Sequence, residues 1–248
     1  MENDRGRPGE EGFKKFKEDS EIKMPEIAEL SEPAKNILFD LRENIDKGEY
    51  AAILGDDASG RLPAWLFHGI LSDIYKEKNF DHPKIIFFAG QIIYDPKLEE
   101  KVKQDFTDFI EKTKVPKMAK NKKVLFVTDT ICSGEHLLLF AKTLKEKGIN
   151  FDIATIGIAG LGVVKELEKK LGGKIFWGQD RVPAIYTRHD LSGVQERSDH
   201  SLFAKLFPPK GQLSPAQEEE MAQKRFEARK DVEILAKKLL EWYRKESI

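Results

Sequence analysis

The stretch that decides the fold is residues 123–148, which read KVLFVTDTICSGEHLLLFAKTLKEKG. Four consecutive apolar residues, 124–127, predict a strand that is buried on both faces of a sheet. The apolar run stops before Asp129, where we expect a short polar loop and then a helix over 135–147. Gly148 follows and supplies the left-handed residue that commonly ends a helix. The stretch therefore predicts a strand, a loop and a helix, with an acidic residue at the carboxyl end of the strand.

The predicted loop has the composition of an anion site and consists of Thr130, Ile131, Cys132, Ser133 and Gly134. A short loop before a helix turns backbone N–H groups toward one point, backed by the positive end of the helix dipole, and a phosphate fits there. Asp129, beside the loop, could hold sugar hydroxyls or, with water, a magnesium ion. The loop is not a nucleotide P-loop, because it lacks the second glycine and the lysine, and it is not a G-x-G-x-x-G fingerprint.

The segment VLFVTDTICSGEHL resembles the phosphoribosyl pyrophosphate (PRPP) loop of type I phosphoribosyltransferases. That family has four apolar residues, two acidic residues, two apolar or small residues and then a phosphate loop that contains Ser/Thr-Gly. The matching positions here are 124–127, Asp129, Ile131, Ser133 and Gly134. Two positions depart from the pattern: Thr128 stands where the first acidic residue is usual, and His136 stands where Thr or Ser is usual.

The resemblance implies a role for each part of this segment. The two acidic positions would hold the ribose hydroxyls, the loop would hold the 5′-phosphate, and Asp129 becomes the catalytic candidate. The implied substrate-binding residues are Thr128, Asp129, Thr130, Ile131, Cys132, Ser133, Gly134, Glu135 and His136. The missing acid at position 128 bears on catalysis more than on phosphate binding.

A second strand, loop and helix precede the first in the chain. Residues 50–54 predict a buried strand, and a helix follows with Pro63 near its start. The loop between them consists of Asp56, Asp57, Ala58, Ser59, Gly60 and Arg61. It is similar to the loop that binds the pyrophosphate of PRPP in the same family, and the donor fork of an arginine suits phosphate oxygens. The alternative is that Arg61 is a solvated residue at the start of the helix and the aspartates are caps.

Further strands alternate with helices along the chain. The strand patterns lie at 84–90, 151–160, 174–178 and 184–187. Such alternation implies a parallel sheet with right-handed crossovers, and ligands bind at the carboxyl ends of its strands. We therefore predict an α/β fold with a parallel-sheet, phosphoribosyltransferase-like (Rossmann-like) domain and a C-terminal helical appendage.

The predicted domain spans residues 26–212. Residues 1–25 are polar and are expected to be disordered. A first helix is predicted over 33–47, with Ser31 as its cap. Residues 213–248 are predicted to form a long helix that starts at a capping box and packs on the core or on a second subunit, which would give a homodimer.

Other candidate residues have weaker signals. Four lysines before the central strand could approach a phosphate, although a solvated turn is the favoured interpretation: Lys117, Lys120, Lys122 and Lys123. Five residues are candidates for contacts to a nitrogenous base by position alone, and packing is favoured for each: Trp177, Tyr186, Arg188, His189 and Asp190. A thiol enzyme with Cys132 as nucleophile and His136 as base is disfavoured, because the loop has a better use for those residues.

Composition excludes several classes of protein. The 248 residues include 42 basic and 43 acidic ones, so the basic excess typical of nucleic-acid binders is missing. One cysteine allows no intrachain disulfide, and the five histidines show no zinc spacing. No apolar run reaches the roughly 18 residues of a membrane span, and the N-terminus does not read as a secretory signal. We expect a cytoplasmic protein that binds neither membranes nor nucleic acid.

The sequence thus predicts a protein that binds PRPP or a nucleoside monophosphate with Mg²⁺. It would transfer ribose 5-phosphate to a nitrogen base and release pyrophosphate, as the resemblance implies. Thr128 keeps a second hypothesis open, which is a non-catalytic nucleotide-sensing or regulatory member of the same fold. A third is a structural or partner-binding protein that uses the C-terminal helix. The sequence does not identify the metal ligands or the base.

Overall fold

Five parallel strands form the central sheet of the computed structural model, which describes residues 21–56, 60–88, 99–171, 173–195, 205–206 and 212–246. The strands are β1 (Tyr50–Asp56), β2 (Lys84–Phe88), β3 (Lys123–Ile131), β4 (Asn150–Ile158) and β5 (Ile175–Gln179). Their spatial order is β2-β1-β3-β4-β5, and every pair of neighbours is parallel. The predicted α/β class and parallel sheet are confirmed.

Helices cover both faces of this sheet. In chain order they are α1 (Pro25–Ala28), α2 (Ser31–Asp40), α3 (Arg42–Asp46), α4 (Arg61–Glu77), α5 (Glu99–Lys112), α6 (Val115–Met118), α7 (Glu135–Glu146), α8 (Leu161–Leu171), a 3₁₀ helix (Ala184–Thr187), α9 (His189–Ser192) and α10 (Pro215–Lys245). A short antiparallel ladder joins β6 (Val194–Gln195) and β7 (Lys205–Leu206). None of the helices in these ranges is long and apolar enough to cross a membrane.

Two apolar cores lie on opposite faces of the sheet, which is why the strands read as near-continuous apolar runs. Along β3, Leu125 and Val127 face the core formed with α2, α4 and α10. Val124 and Phe126 face the core formed with α5, α7 and α8. The alternation of a strand thus divides one apolar run between two cores.

The central strand is longer than its apolar run. β3 ends at Ile131, four residues beyond the predicted end, because Thr128, Thr130 and Ile131 still pair with β4. Part of the predicted loop is therefore strand, and the connection to α7 is only 132–134. The polar residues of this motif lie at the sheet edge instead of in an open loop.

The predicted strand at 184–187 is wrong, because the segment is a 3₁₀ helix. It follows Pro183, which has no N–H to donate to a ladder. The chain just before it crosses the end of β4, where a Cβ on Gly157 would lie 2.1 Å from the Arg181 carbonyl oxygen. This segment thus covers the edge of the sheet and does not extend it.

The first predicted helix is divided. Residues 33–47 fall in α2 and α3, and Ser31 is the first residue of α2 and not its cap. The capping role fails because Leu30, which precedes it, is already helical, with φ −71° and ψ −13°. Residues 1–20 of the predicted tail lie outside the described residues, as do residues 89–90 at the end of the predicted strand 84–90.

Helix α10 begins as predicted. Its capping box is present, since Ser214 Oγ accepts from Gln217 N and the Gln217 side chain accepts from Ser214 N at 3.0 Å. No residue of 215–227 is buried, whereas from Ala228 onward the helix contributes to the same core as α4. The C-terminal half of α10 is thus part of the domain core, and its first half lies at the surface.

Helix α10 runs parallel to α4. The Arg229 guanidinium lies 4.6 Å from the Trp65 ring, and Arg244 pairs with Glu77 two turns or more further along. In the first half of α10, Arg225 packs against Gly193, where a Cβ would lie 2.6 Å from Arg225 Cδ. The carboxylate of Asp231, 2% exposed, also accepts the N–H groups of Lys23 and Met24 at 2.9 and 2.8 Å.

Candidate functional site

The strand order reverses between β1 and β3. The crossover from β1 leads outward to β2, whereas β3 begins the other half of the sheet. In open parallel sheets ligands bind in the crevice outside the carboxyl ends of the strands at this point. Asp56 ends β1 here, and the polar end of β3 lies beside it.

A cavity of about 110 Å³ lies at this point. Polar parts of its wall come from β1, β3, the connection to α7 and the 3₁₀ helix: Asp56, Thr128, Thr130, Cys132, Ser133, Glu135 and Tyr186. Drug-sized ligands occupy pockets of about 300–1,000 Å³. A cavity this small suits a phosphate group or a hydrated ion, with the rest of a larger ligand outside it.

One hydroxyl joins two carboxylates at the base of the site. Thr128 Oγ1 donates to Asp56 Oδ2 at 3.2 Å and lies 3.4 Å from Asp129 Oδ1. The three side chains are 5%, 7% and 1% exposed in the order Thr128, Asp56, Asp129. A hydroxyl has a single proton, so it can fully serve only one of the two acids at a time. Buried carboxylates of this kind are stabilised by hydrogen bonds or by nearby positive charge.

Thr130 presents a hydroxyl that the described residues do not satisfy. Its Oγ1 is buried and has no hydrogen-bond partner among them, and the residue is 8% exposed. Thr130 is two residues from Thr128 along β3, so both side chains are on the same face and line the same cavity. A buried unsatisfied hydroxyl costs about 1–3 kcal/mol, which a bound ligand would recover.

The first turn of α7 forms another wall. Its N-cap is Gly134, which has no side chain to cap the first-turn N–H groups. These groups and the helix dipole favour an anion. Gly134 has φ +72°, and a Cβ there would lie 2.3 Å from Leu167 Cδ1 of α8. The glycine is therefore required by the backbone and by the packing of α7 against α8, independently of any ligand.

The thiol of Cys132 is held in its protonated form. Burial raises its pKa, the negative charge of Asp129 raises it further, and a hydrogen bond with Tyr186 opposes both. The helix N-terminus therefore does not make this cysteine a thiolate, which counts against the thiol-enzyme alternative. The side chain of His136 lies outside the described residues.

The second predicted loop meets the first at this edge, although Asp57, Ala58 and Ser59 lie outside the described residues. A Cβ on Gly60 would lie 3.1 Å from Asp56 Cβ and 3.3 Å from Thr128 Cα, so α4 begins directly against the ends of β1 and β3. The flanks of the two loops thus converge on one place.

Arg61, the predicted pyrophosphate contact, lies over two aromatic rings. Its guanidinium lies 4.7 Å from the Phe87 ring centroid and 5.5 Å from that of Trp65. Arginines are commonly held over aromatic faces in this way. Arg61 is not among the described residues that line the cavity, and neither is Asp129, the predicted catalytic residue.

Among the residues that were predicted to contact a nitrogenous base and whose side chains are described, Tyr186 lines the cavity. Arg188 pairs with Glu26 and with Asp190, which ties α9 to α1, and the Arg188 hydrogen bond lowers the pKa of Asp190. Trp177 Nε1 donates to Asp180 at 3.1 Å. The side chain of His189 lies outside the described residues. Packing roles therefore account for Trp177, Arg188 and Asp190.

The predicted lysines lie at the opposite edge of the sheet. Lys123 is the first residue of β3, and its Nζ is 3.0 Å from Glu49 and 3.3 Å from Asp152. Lys122 lies 4.0 Å from Asp81. A nine-residue strand is about 26 Å long at ~3.3 Å per residue, so these lysines do not reach the cavity. The solvated interpretation fits the exposed Lys117 and Lys120, whereas Lys123 belongs to β3 and to its ion pairs.

Sequence reasoning missed the apolar wall of the cavity. Phe126, Leu137 and Phe140 line it, and all belong to the core on the α7 side of the sheet. Their spacing along β3 and α7 is that of ordinary core residues, so no local signal separates them from the rest of that core.

No protein-family model matches the chain, and no curated protein matches it either. Among the described residues, no group of three His, Cys, Asp or Glu side chains is arranged as a metal site. The family resemblance therefore rests on the loop residues, and the function must be argued from the cavity.

Proposed function

We propose that the protein binds a phosphorylated ribose, either PRPP or a nucleoside 5′-monophosphate, together with Mg²⁺. It transfers ribose 5-phosphate to a nitrogen base with release of pyrophosphate. One observation supports the proposal. Two loops resemble phosphate loops and are about 70 residues apart in sequence, and their described flanks meet at one cavity where the strand order reverses.

The phosphate is bound by the wall made of Ser133, Gly134 and the first turn of α7. The N–H groups there have no side-chain cap on the N-cap residue, and the helix dipole adds positive potential. Ser133 is exposed, so its hydroxyl can donate as well. The cavity volume matches one phosphate, and the ribose extends toward the open side.

Mg²⁺ fits the opposite wall, because this ion is usually held by one or two carboxylates together with substrate phosphates and water. The negative charge of the buried Asp56 and Asp129 would attract the ion to this wall. When bound, the ion supplies positive charge that stabilises the departing pyrophosphate. Without such a cation, the acids would repel the phosphate.

Asp129 contributes negative charge close to the ribose. The ribose becomes cationic in the transition state of this transfer, and fixed charges act where charge develops. Asp129 is 1% exposed, and its carboxylate lies behind Thr128, so its charge acts through space on the cavity. Because few water molecules surround it, that charge is weakly screened.

A sensor is the second candidate function, and Thr128 favours it. Its hydroxyl is bonded to Asp56 and brings no charge to the position that is acidic in the resembled family. Binding of neutral ribose hydroxyls would suffer less from this than the chemical step. Such a protein would bind the ligand and transfer slowly or not at all.

The two candidates are separated by measuring binding and turnover on the same preparation. Mg²⁺-PRPP and a panel of nucleoside monophosphates at millimolar concentration should raise Tm by about 5–10 °C if the ligand exceeds its Kd about 100-fold. Pyrophosphate release is then followed with a mixed pool of nucleobases. Release identifies a transferase, whereas a Tm shift without release identifies a sensor. No shift across the panel would refute binding at this site.

A further inference from the structure

The two acids of the site are not equivalent. Asp56 lines the cavity, whereas Asp129 is the more deeply buried and does not line it in the described part of the chain. Thr128 Oγ1 stands between them at 3.2 and 3.4 Å. A ligand in the cavity therefore meets Asp56 first, although Asp129 is the residue that matches the family pattern.

The side chain of Asp56 is held in one orientation. The hydrogen bond from Thr128 occupies one side of Oδ2, and a carboxylate offers about four acceptor sites in all. The register of the sheet fixes the backbone as well, since Asp56 pairs with Phe88 and the preceding Gly55 pairs with Val127. The sheet register and the Thr128 bond thus hold the Asp56 carboxylate at the wall of the cavity.

Thr130 supplies an independent sign that a ligand belongs here. Its Oγ1 is buried, has no partner among the described residues, and lies on the cavity face of β3 with Thr128. A hydroxyl oxygen has two lone pairs that can face a cation or its bound water. Two kinds of oxygen, one charged and one neutral, therefore meet in one small cavity, which is the donor chemistry that Mg²⁺ and Mn²⁺ prefer.

From this juxtaposition we infer that Asp56 and Thr130 bind a divalent cation directly or through one water, and that Asp129 only adds charge from behind Thr128. The inference rests on the proposed function, because it assigns the cation of that same site. In this assignment, Asp56 of the neighbouring strand β1 takes the place of the acidic residue that is missing at position 128. The chain then keeps two carboxylates at the site, with the metal-binding one contributed by β1.

Mn²⁺ alone is the probe, followed by electron paramagnetic resonance on the full-length protein at up to millimolar concentration. The variants are Asp56→Asn and Asp129→Asn, with Asp152→Asn as a control for a carboxylate at the far edge of the sheet. We expect Asp56→Asn to weaken Mn²⁺ binding about tenfold or more and the other two to change it less than about threefold. Equal losses for Asp56→Asn and Asp129→Asn, or no Mn²⁺ binding by the wild type, would overturn the inference.

A second pair of variants covers the case in which Asp56→Asn does not fold. Thr130→Val removes the unpaired hydroxyl at nearly constant volume, and Thr143→Val removes a buried hydroxyl that bonds to Leu139 O within α7. Weaker Mn²⁺ binding only in Thr130→Val supports the inference, and equal binding in both contradicts it. Thermal shifts with a nucleoside monophosphate in EDTA test phosphate binding separately, so failure of the cation assignment is distinguishable from failure of the proposed function.

Discussion

Two polar clusters lie at opposite edges of the same sheet, and they differ in how well their hydrogen bonds are satisfied. The amino-edge cluster consists of Asn44, Tyr50, Lys123 and Asp152. There, Asp152 Oδ2 accepts from the Tyr50 hydroxyl at 2.7 Å and from Asn44 at 3.0 Å, and Lys123 Nζ is 3.3 Å away. The carboxyl-edge cluster consists of Asp56, Thr128, Asp129 and Thr130, and it includes the Thr130 hydroxyl, which has no partner among the described residues.

At the amino edge one acid faces three donors. Burial raises the pKa of Tyr50, and the negative charge of Asp152 raises it further, so the hydroxyl stays protonated and donates. Burial lowers the pKa of Lys123, but its bond with Glu49 and the charge of Asp152 outweigh this and leave the pKa raised. A satisfied network of this kind rigidifies a fold.

At the carboxyl edge two acids share one hydroxyl, and the hydroxyl of Thr130 has no partner in the described part of the chain. The unsatisfied Thr130 hydroxyl costs folding free energy. The comparison indicates that the amino edge stabilises the fold, while the carboxyl edge keeps an unsatisfied hydroxyl that the proposed ligand would contact.

Breaking the amino-edge cluster should have the largest effect on stability. Asp152→Ala leaves Tyr50, Asn44 and Lys123 without their shared acceptor. We expect the free energy of unfolding to fall by about 3 kcal/mol, since removing one partner of a buried pair leaves the other partner buried and unsatisfied. Urea denaturation measures this. Ligand affinity of the folded variant should be unchanged, and a stability within about 0.5 kcal/mol of the wild type would show that the network is not structural.

Gly134→Ala should have the next largest effect, for a reason of packing. A left-handed conformation costs a non-glycine residue about 1–2 kcal/mol, and the new Cβ would meet Leu167. We expect a loss of about 2–3 kcal/mol in unfolding free energy. Gly148→Ala is the matched control, because its φ is also positive, at +67°, and nothing in the described structure lies within 4 Å of its Cβ. Equal losses at the two sites would rule out the Leu167 contact as a cause.

Thr130→Val should leave stability unchanged or raise it by up to about 1 kcal/mol, because it removes a hydroxyl that is buried without a described partner. Thr143→Val, which loses a bond to Leu139 O, should lower stability by about 1 kcal/mol. Parallel urea titrations compare the two variants. A loss at Thr130 as large as that at Thr143 would mean that the Thr130 hydroxyl already stabilises the unliganded protein.

The smallest effect concerns the reactivity of Cys132. Because burial and Asp129 raise its pKa, alkylation by iodoacetamide should remain slow at neutral pH and increase toward alkaline pH, above the range of a free thiol. Mass spectrometry across a pH series measures the rate. Asp129→Asn should shift the profile toward lower pH and Tyr186→Phe toward higher pH, since one removes a charge that raises the pKa and the other a bond that lowers it. Shifts in the same direction would contradict this arrangement.

The sequence by itself determined the five strands of the parallel sheet and long helices such as α4, α7 and α10. Apolar runs bounded by glycine and polar residues identify buried strands such as β1 and β3, and periodic apolar positions identify α4 and α7. Crossover rules then bring both loops to one edge. The capping box of α10 was also readable, because Ser214 and Gln217 are three residues apart.

Only the tertiary structure decided which side chains of the site contact each other. The bond between Thr128 and Asp56 joins residues 72 positions apart, and local sequence has no signal for such a partner. Local sequence also gives no signal for the contact of Arg61 with Phe87 and Trp65, or for the pairing of Lys123 with Glu49 and Asp152. The length of β3 depended on pairing with β4, because Thr128 and Thr130 are polar and would otherwise predict a loop. Local patterns encode backbone conformation, whereas the partners of a buried polar group are set by packing between distant segments.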